Sequence, residues 1–475
     1  MGRHVAQDIR NFHFHKKTWK DNAMNERQKN GNPGANISVR MTRKISNNRG
    51  FKYRFFWTWD HSTNWDLNET GLQESGCHNP YLKRPQAFLN DYKRVIDYMS
   101  AHGLNGLIIW GFLRSGHGGI KSAQALCDYA DKKGVKILPG MGVLSYGGVW
   151  YEGEHRFNLD THLKKHPDLA AVDQEGNQLL GHAVACPSRR ENLEWMEQGV
   201  AWLADTFNIG GVNLETGDYG ICYCPQCRAA ADRSSNGTRV SFADMARIYP
   251  VLAKILRNKI PDAWISYATY TDFQGTDLFN SRHMPGSESS LLSRIPEYAI
   301  AQWTLTSMLE QGENAAGKNT LPTRHNIGFF HQGSQWSGGR YEPVAGIIKK
   351  ACDIAQTNKL EGLVTHGEVS PASVPNELNY LAFEYFTKHS DGDIKDFALE
   401  FSGQYGGSEL SMLFMNLVEK TPNQGDVARA KKICDLLSKG MKDQEQWRIY
   451  RRWQWLADYL SQKWVKVSTR SGRKA

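Results

Sequence analysis

Short apolar runs alternate with amphipathic stretches along the chain from about residue 50 onward. Eight such runs follow one another: YRFFWTWD (53–60), LNGLIIWGF (104–112), VKILPGMGVL (135–144), IGGVNLE (209–215), AWISYATY (263–270), YAIAQWTL (298–305), NIGFFHQG (326–333) and LEGLVTHGE (360–368). Runs of this length predict β-strands, and the amphipathic stretches between them predict the helices that connect parallel strands.

Eight strand–helix units are the number that closes a (β/α)8 barrel, the TIM-barrel fold. An open doubly wound sheet is the competing architecture, but no glycine-rich phosphate loop follows the first predicted strand. We therefore predict an α/β fold with three parts: a disordered basic N-terminal extension (1–48), a (β/α)8 barrel (49–390), and a helical C-terminal region with a basic tail (391–475). In the last part, Trp447, Trp453, Trp455 and Trp464 are predicted to lie on the helix face that meets the core.

The net charge of +9 is concentrated at the two ends of the chain. The first fifty residues carry eleven Lys and Arg against three Asp and Glu, and residues 463–475 carry five basic residues and no acidic one. The region between them is therefore slightly acidic, which indicates solvated tails rather than a nucleic-acid surface. No apolar run is long enough to span a membrane, and no apolar signal segment opens the sequence. These patterns predict a cytoplasmic protein without nucleic-acid or membrane partners.

The strand ends carry most of the candidate chemistry, because side chains at the carboxyl ends of barrel strands surround the active site. The abrupt end of an apolar strand at Glu215 predicts a partly desolvated carboxyl group, an environment that suits a general acid. The 15 Trp, 19 Tyr and 19 Phe residues weakly favour a carbohydrate site. The predicted substrate-binding residues are His61, Trp110, Arg114, His117, Tyr270, Trp303, His331 and Trp336.

Glycoside hydrolysis needs two carboxyl groups that flank the bond to be cleaved. We predict that Glu215 donates the proton and that Asp60 or Glu368 is its partner, as base or as nucleophile. A strand-end carboxylate can also cap a helix or pair with Arg114. Arg114 and Arg340 could alternatively bind the carboxylate or sulfate of an acidic sugar, a uronate or sialate for example.

The segment CYCPQC brings Cys222, Cys224 and Cys227 close together after the fourth predicted strand. With Cys186, in ACPS after the third strand, they predict a closed four-sulfur zinc site of structural character. Such a site would hold the loop that follows Glu215, whereas the alternative is a group of reduced cysteines packed together. No organic cofactor is predicted.

The order of HPDLAAVDQEGN, ACPS, a strand ending in Glu215 and CYCPQC resembles the β-galactosidases of glycoside hydrolase family 42, over residues 160–230. The resemblance implies the barrel, the structural zinc and an acid role for Glu215. Leu214 stands where that family has an asparagine, and GFFHQGSQW on the seventh strand lacks the family's nucleophile glutamate. We therefore expect an inverting mechanism or a base from strand one or eight, and we carry over no galactose specificity.

The function that these residues predict is a glycosidase acting on a carbohydrate substrate. A carbohydrate-binding barrel without catalysis is the first alternative, because the seventh strand has no carboxylate. A metal-dependent hydrolase or lyase is the second alternative, with a site built from His61, His117, His331 and His366.

Overall fold

A computed structural model describes residues 50–66, 83–181, 183–216, 220–229, 240–272, 292–311, 325–331 and 341–471. The predicted N-terminal extension (1–48) lies outside these residues, as do Trp336 and Arg340. None of the described helices is both long and apolar enough to cross a membrane.

Eight parallel strands form a closed barrel in which each strand pairs with the next and the last pairs with the first. They are β1 (Tyr53–Trp59), β2 (Gly106–Trp110), β3 (Lys136–Gly142), β4 (Gly211–Glu215), β5 (Trp264–Ala268), β6 (Ile300–Thr304), β7 (His325–Phe329) and β8 (Gly362–His366). Seven of them lie within one of the eight apolar runs, and β7 begins one residue before its run, so the predicted (β/α)8 barrel is confirmed.

Helices connect strands of the barrel, and further helices come after the barrel in the sequence. Along the barrel they are α1 (Pro85–His102), α2 (Gly119–Lys132), α3 (Leu159–Lys165), α4 (Arg190–Thr206), α5 (Pro225–Arg228), α6 (Phe242–Lys259), α7 (Thr306–Gln311), α8 (Ala345–Thr357) and α9 (Val374–Lys388). The C-terminal region contains α10 (Ile394–Glu400), α11 (Ser402–Tyr405), α12 (Ser408–Glu419), α13 (Gln424–Gly440) and α14 (Gln444–Ser471). Local signals set several ends: Pro85 occupies the first turn of α1, and Gly103 ends that helix in the left-handed conformation.

Strand alternation separates an inner core from an outer one. The inner core fills the barrel with side chains that include Tyr53, Phe55, Trp57, Trp59, Ile108, Trp110, Leu138, Ile300, Ile327, Phe329 and Val364. The intervening residues, such as Phe56 and Leu107, pack against the helices instead. Gly140 makes room for this aromatic filling, because a Cβ there would lie 2.5 Å from the Trp110 ring.

The C-terminal helices share the outer core with the barrel helices. Trp453 is fully buried, and its indole N–H donates to the Tyr405 carbonyl at 3.0 Å. Trp455 and Trp464 are partly buried against the same core. Trp447 is 48% exposed, which corrects its predicted place on the core-facing side of α14. Arg451, one turn later on the helix, lies 6.0 Å from the centre of the Trp447 ring.

Candidate active site

An aromatic wall lines the barrel at the carboxyl ends of β1 and β2. The Trp59 and Trp110 rings lie 5.5 Å apart, and Tyr146 and Tyr151, from the segment after β3, pack on them. Among the described residues, the indole N–H groups of Trp57, Trp59 and Trp110 meet no hydrogen-bond acceptor, although all three side chains are buried. A buried donor without an acceptor costs about 1–3 kcal/mol, so each such group calls for an explanation, of which a role in catalysis is one.

Glu215 ends β4 on the side of the strand that faces the barrel interior. Val212 and Leu214 belong to the outer core, so Asn213 and Glu215 share the inner side. The Asn213 amide donates to Oε1 of Glu215 at 2.9 Å, and the Tyr270 hydroxyl donates to Oε2 at 3.0 Å. Glu215 is only 8% exposed. Its carboxyl group is therefore fixed through both oxygens.

Tyr270 reaches Glu215 from a backbone conformation that few residues adopt. Its φ of 58° lies in the left-handed region, two residues beyond the end of β5. This conformation costs about 1 kcal/mol or more for a residue with a Cβ. Tyr270 was predicted to bind substrate, and the structure places its hydroxyl on the Glu215 carboxylate.

Asp60 lies in a fully buried charge network just after β1. Its Oδ2 accepts from Nε of Arg114 at 2.6 Å, and Nδ1 of His61 is 3.8 Å from its Oδ1. Burial raises the pKa of Asp60, but Arg114, His61 and His117 together outweigh that effect and hold the pKa below its usual value. Asp60 also depends on Gly111, where an added Cβ would lie 1.9 Å from its Oδ1. Asp60 is therefore an ionised carboxylate at neutral pH.

Arg114 connects the segments that follow β1, β2 and β3. Besides Asp60 it forms an ion pair with Glu152, and its guanidinium lies 4.5 Å from the centre of the Tyr151 ring. The side chain is 1% exposed. Two protein carboxylates thus neutralise this cation, which was predicted as a candidate receptor for an acidic sugar.

Glu368 lies just beyond β8 and fixes the segment after β1. Its Oε1 accepts from the backbone N–H of Trp59 at 3.0 Å and from the Ser62 hydroxyl at 2.8 Å, and its carbonyl accepts from the N–H of Asn64 at 2.8 Å. The two predicted partners of Glu215 are therefore both engaged with neighbouring protein groups.

The four candidate histidines do not come together as one group. Nε2 of His366 is 3.5 Å from Nδ1 of His331, and burial lowers the pKa of His331 to about 4. His61 packs against Trp59. His117 stacks on Phe88 of α1 at 3.7 Å, in the outer core. Within the described residues, the only group of three or more His, Cys, Asp or Glu side chains that could hold a metal is the cysteine cluster, so the histidine-metal alternative gains no support.

Two predicted substrate-binding tryptophans are not found on the wall. Trp303 belongs to the outer core, where its indole N–H donates to Oδ1 of Asn326 at 2.9 Å. Trp336 lies outside the described residues. Conversely, Trp57, Tyr151 and the Asn213 amide were not among the predicted site residues. The alternation of side chains along a strand could have indicated both Trp57 and Asn213. Trp57 lies two positions before Trp59 of the wall, and Asn213 lies two positions before Glu215, so each shares a strand face with that residue.

The four predicted cysteine ligands form one buried cluster. Their sulfur atoms all lie within 4.8 Å of one another, and Cys186 is 3.8 Å from Cys224 and 3.9 Å from Cys227. A tetrahedral zinc site with sulfur at about 2.3 Å requires sulfur–sulfur distances of about 3.8 Å. Hydrogen bonds from Cys186 and Cys222 lower the pKa of Cys227, whereas hydrogen bonding with Cys222 and Cys227 raises the pKa of Cys186. The cluster therefore has the donors and the spacing that a tetrahedral metal ion needs.

The fold and these residues define a (β/α)8 barrel whose mouth joins an oriented carboxyl group, an aromatic wall and a buried charge network.

No family model matches the chain, and no curated protein matches it. Its solved structural neighbours include the β-N-acetylhexosaminidase of Bacteroides fragilis NCTC 9343, with 12% identity and a TM-score of 0.45 over 74% of this chain and 69% of that one. The PgaB (BpsB) glycoside hydrolase domain of Bordetella bronchiseptica gives 10% identity and a TM-score of 0.45 over 69% and 98%. The β-amylase catalytic domain of Paenibacillus polymyxa gives 9% identity and a TM-score of 0.40 over 64% and 95%. Resemblances at this level say nothing of substrate, so activity has to be argued from the chain's own residues.

Proposed function

We propose that the protein is a glycosidase and that its substrate binds on the aromatic wall. The observation that carries this proposal is the set of three buried indole donors, from Trp57, Trp59 and Trp110, on the same inner face of the barrel as Glu215. A sugar presents apolar C–H faces and hydroxyl acceptors together, so it complements rings whose N–H groups need an acceptor.

Glu215 is the group that transfers the proton to the leaving oxygen. Asn213 and Tyr270 hold its two carboxyl oxygens, so they act as positioning residues that fix the direction of transfer. The partner has to be ionised, and Asp60 meets that requirement because its pKa is held below its usual value. We therefore propose Asp60 as the second carboxylate, with Glu368 as the alternative and an inverting mechanism in which the carboxylate activates water.

The test is a screen of the purified protein against p-nitrophenyl glycosides and neutral and uronate-bearing oligosaccharides. Glu215→Gln should abolish hydrolysis, whereas Glu194→Gln, on the exposed surface of α4, should leave it unchanged. Asp60→Asn should reduce kcat more than Glu368→Gln does. Unchanged turnover by Glu215→Gln would overturn the acid assignment.

A carbohydrate-binding barrel without catalysis is the second candidate. It is favoured by the contacts of Asp60 and Glu368, which both serve protein groups in this structure. This candidate predicts that no glycoside in the screen is cleaved and that calorimetry detects oligosaccharide binding that survives Glu215→Gln.

We also propose that the cysteine cluster binds a structural zinc ion through Cys186, Cys222, Cys224 and Cys227. The matching sulfur spacing and the buried position support this assignment. Four thiolates complete a tetrahedral shell, so the ion would have no open position for a substrate. Its effect would be to join the segment before α4 to the segment that follows β4, close in sequence to Glu215.

A further inference from the structure

A cavity of about 750 Å³ lies within the long segment that follows β3. Its lining residues fall between positions 147 and 183 and include Tyr151, Asn158, Thr161 and Gly181. Pockets of roughly 300–1,000 Å³ are typical of small-molecule sites in proteins. This cavity is therefore large enough to hold part of an oligosaccharide.

Tyr151 joins the cavity to the aromatic wall. Its ring lies 5.8 Å from the Trp59 ring and 6.5 Å from the Trp110 ring, and the same residue lines the cavity. Asn158 fixes this boundary, because its amide donates to the carbonyls of Trp150 and Tyr151 at 3.0 and 3.4 Å. Tyr151 therefore belongs both to the aromatic wall and to the lining of the cavity.

The charges around the cavity are of both signs. Three acids and two lysines line it: Glu152, Glu154, Asp160, Lys164 and Lys165. Glu152 pairs with Arg114, and Lys164 pairs with Asp160 at 2.5 Å. Two of the three acids and one of the two lysines are thus paired within the protein, and the remaining Glu154 and Lys165 are of opposite sign, so the surface offers donors and acceptors without a positive excess that would attract an anion. Sugar hydroxyls, which donate and accept, suit such a surface.

We propose that this cavity is a subsite for the neutral sugar residues that extend beyond the bond to be cleaved. The proposal rests on the proposed glycosidase function and deepens it, because it makes the protein selective for oligosaccharides over monoglycosides. Binding energy from sugars in the cavity is available to orient the bond at Glu215.

Gly181 offers a direct test, because it is exposed and an added Cβ would meet nothing within 4 Å. Gly181→Trp should fill the cavity without disturbing the fold. Gly403→Trp, in α11, is the matched control, since Gly403 is equally exposed and equally open. The probes are p-nitrophenyl monoglycosides, neutral cello-, xylo-, manno- and chito-oligosaccharides of two to six units, and acidic oligogalacturonides of the same lengths.

We expect kcat/KM of the wild type to rise by about tenfold or more with chain length. Gly181→Trp should remove that rise and leave hydrolysis of the monoglycoside unchanged, and Gly403→Trp should behave as the wild type does. A rise that persists in Gly181→Trp would overturn the subsite while leaving the glycosidase proposal intact. A larger rise of kcat/KM with chain length for oligogalacturonides than for neutral chains would overturn the proposal that the cavity binds neutral sugars.

Absence of hydrolysis by the wild type would instead overturn the glycosidase function. In that case calorimetric titration with the same oligosaccharides tests the cavity by itself. Binding lost in Gly181→Trp and kept in Gly403→Trp supports the subsite, whereas equal binding by both variants refutes it.

Discussion

The Tyr270 hydroxyl is a contact of Glu215 that can be removed by deleting a single oxygen atom. Tyr270→Phe deletes the donor to Oε2 and keeps the ring. A hydrogen bond to a charged group contributes about 1.5–3 kcal/mol, so kcat should fall roughly ten- to a hundredfold with a smaller change in KM. The measurement is kcat and KM across pH.

Tyr298→Phe is the matched control, because Tyr298 is a half-buried tyrosine whose ring contacts Arg257 at 4.4 Å. That variant should retain wild-type kinetics. If Tyr270→Phe keeps both kcat and the pH profile of the wild type, Tyr270 does not position Glu215.

His117 should make the protein sensitive to acid. Burial lowers its pKa to about 4 from 6.5, so the folded state binds a proton less readily than the unfolded state does. Its contribution to stability is complete above pH 6.5 and is lost as the pH falls toward about 4, by on the order of 3 kcal/mol. Below pH 4 both states are protonated, and the loss does not grow further.

His117→Phe should separate this titration from packing. The new ring can still stack on Phe88, but the hydrogen bond to the Gly111 carbonyl is lost. At pH 7.5 we expect a free energy of unfolding about 1 kcal/mol lower than that of the wild type. Between pH 7.5 and 4.5 the variant should lose less stability than the wild type in urea titrations. Parallel pH dependences would contradict the assignment.

At this scale the sequence predicted which residue types end each strand, and Glu215 and Trp110 were found where they were expected. Pairing of a strand-end carboxylate with Arg114 was an alternative that the sequence left open, and Asp60 makes that pair. The sequence did not predict the partners of Glu368, because its contacts with β1 join residues 309 positions apart. Trp303 was misplaced for a simpler reason. Ile300 fills the barrel, so the residue three positions later on the same strand faces the helices.

At the scale of the elements, the zinc proposal concerns the two segments that the cysteine cluster brings together, one before α4 and one after β4. If zinc is bound, the purified protein should contain one zinc ion per chain by elemental analysis. Cys224→Ser should lose the metal and lower Tm, because metal binding and folding are coupled. Cys352→Ser alters a buried thiol on α8, away from the cluster, and should keep the metal. A metal-free wild type would refute the zinc proposal.

The strands were the most predictable elements, because buried parallel strands read as continuous apolar runs. The cavity in the long segment between β3 and α4 could not be derived from periodicity. The cavity depends on where α3 and the neighbouring turns return to the barrel, and those turns are set by long-range contacts. One is the Ala185 N–H, which donates to the Leu144 carbonyl at 2.8 Å.

At the scale of the whole molecule, the C-terminal helices and the barrel share one outer core. Arg452 of α14 is 5% exposed and makes two hydrogen bonds to Glu377 of α9, at 2.9 and 2.6 Å. Removing one member of a buried ion pair costs about 3–5 kcal/mol. Arg452→Ala should therefore lower the midpoint of urea unfolding substantially, and unfolding should remain a single transition.

Arg448→Ala provides the control, since Arg448 lies on the exposed side of the same helix. It should unfold within error of the wild type. Two separate transitions in either variant would show that the helical region folds independently of the barrel.

Closure of the barrel between β1 and β8 has a consequence for synthesis of the protein. The first strand leaves the ribosome some 309 residues before Glu368, which accepts its last backbone N–H. At about 5–20 residues per second, β1 waits roughly 15–60 s for its final neighbour. During that interval one edge of YRFFWTW, the most aromatic strand of the barrel, is open to pairing with other chains. Lower growth temperatures and chaperones that shield nascent strands should therefore raise the soluble yield of this protein more than they raise that of a barrel with a polar first strand.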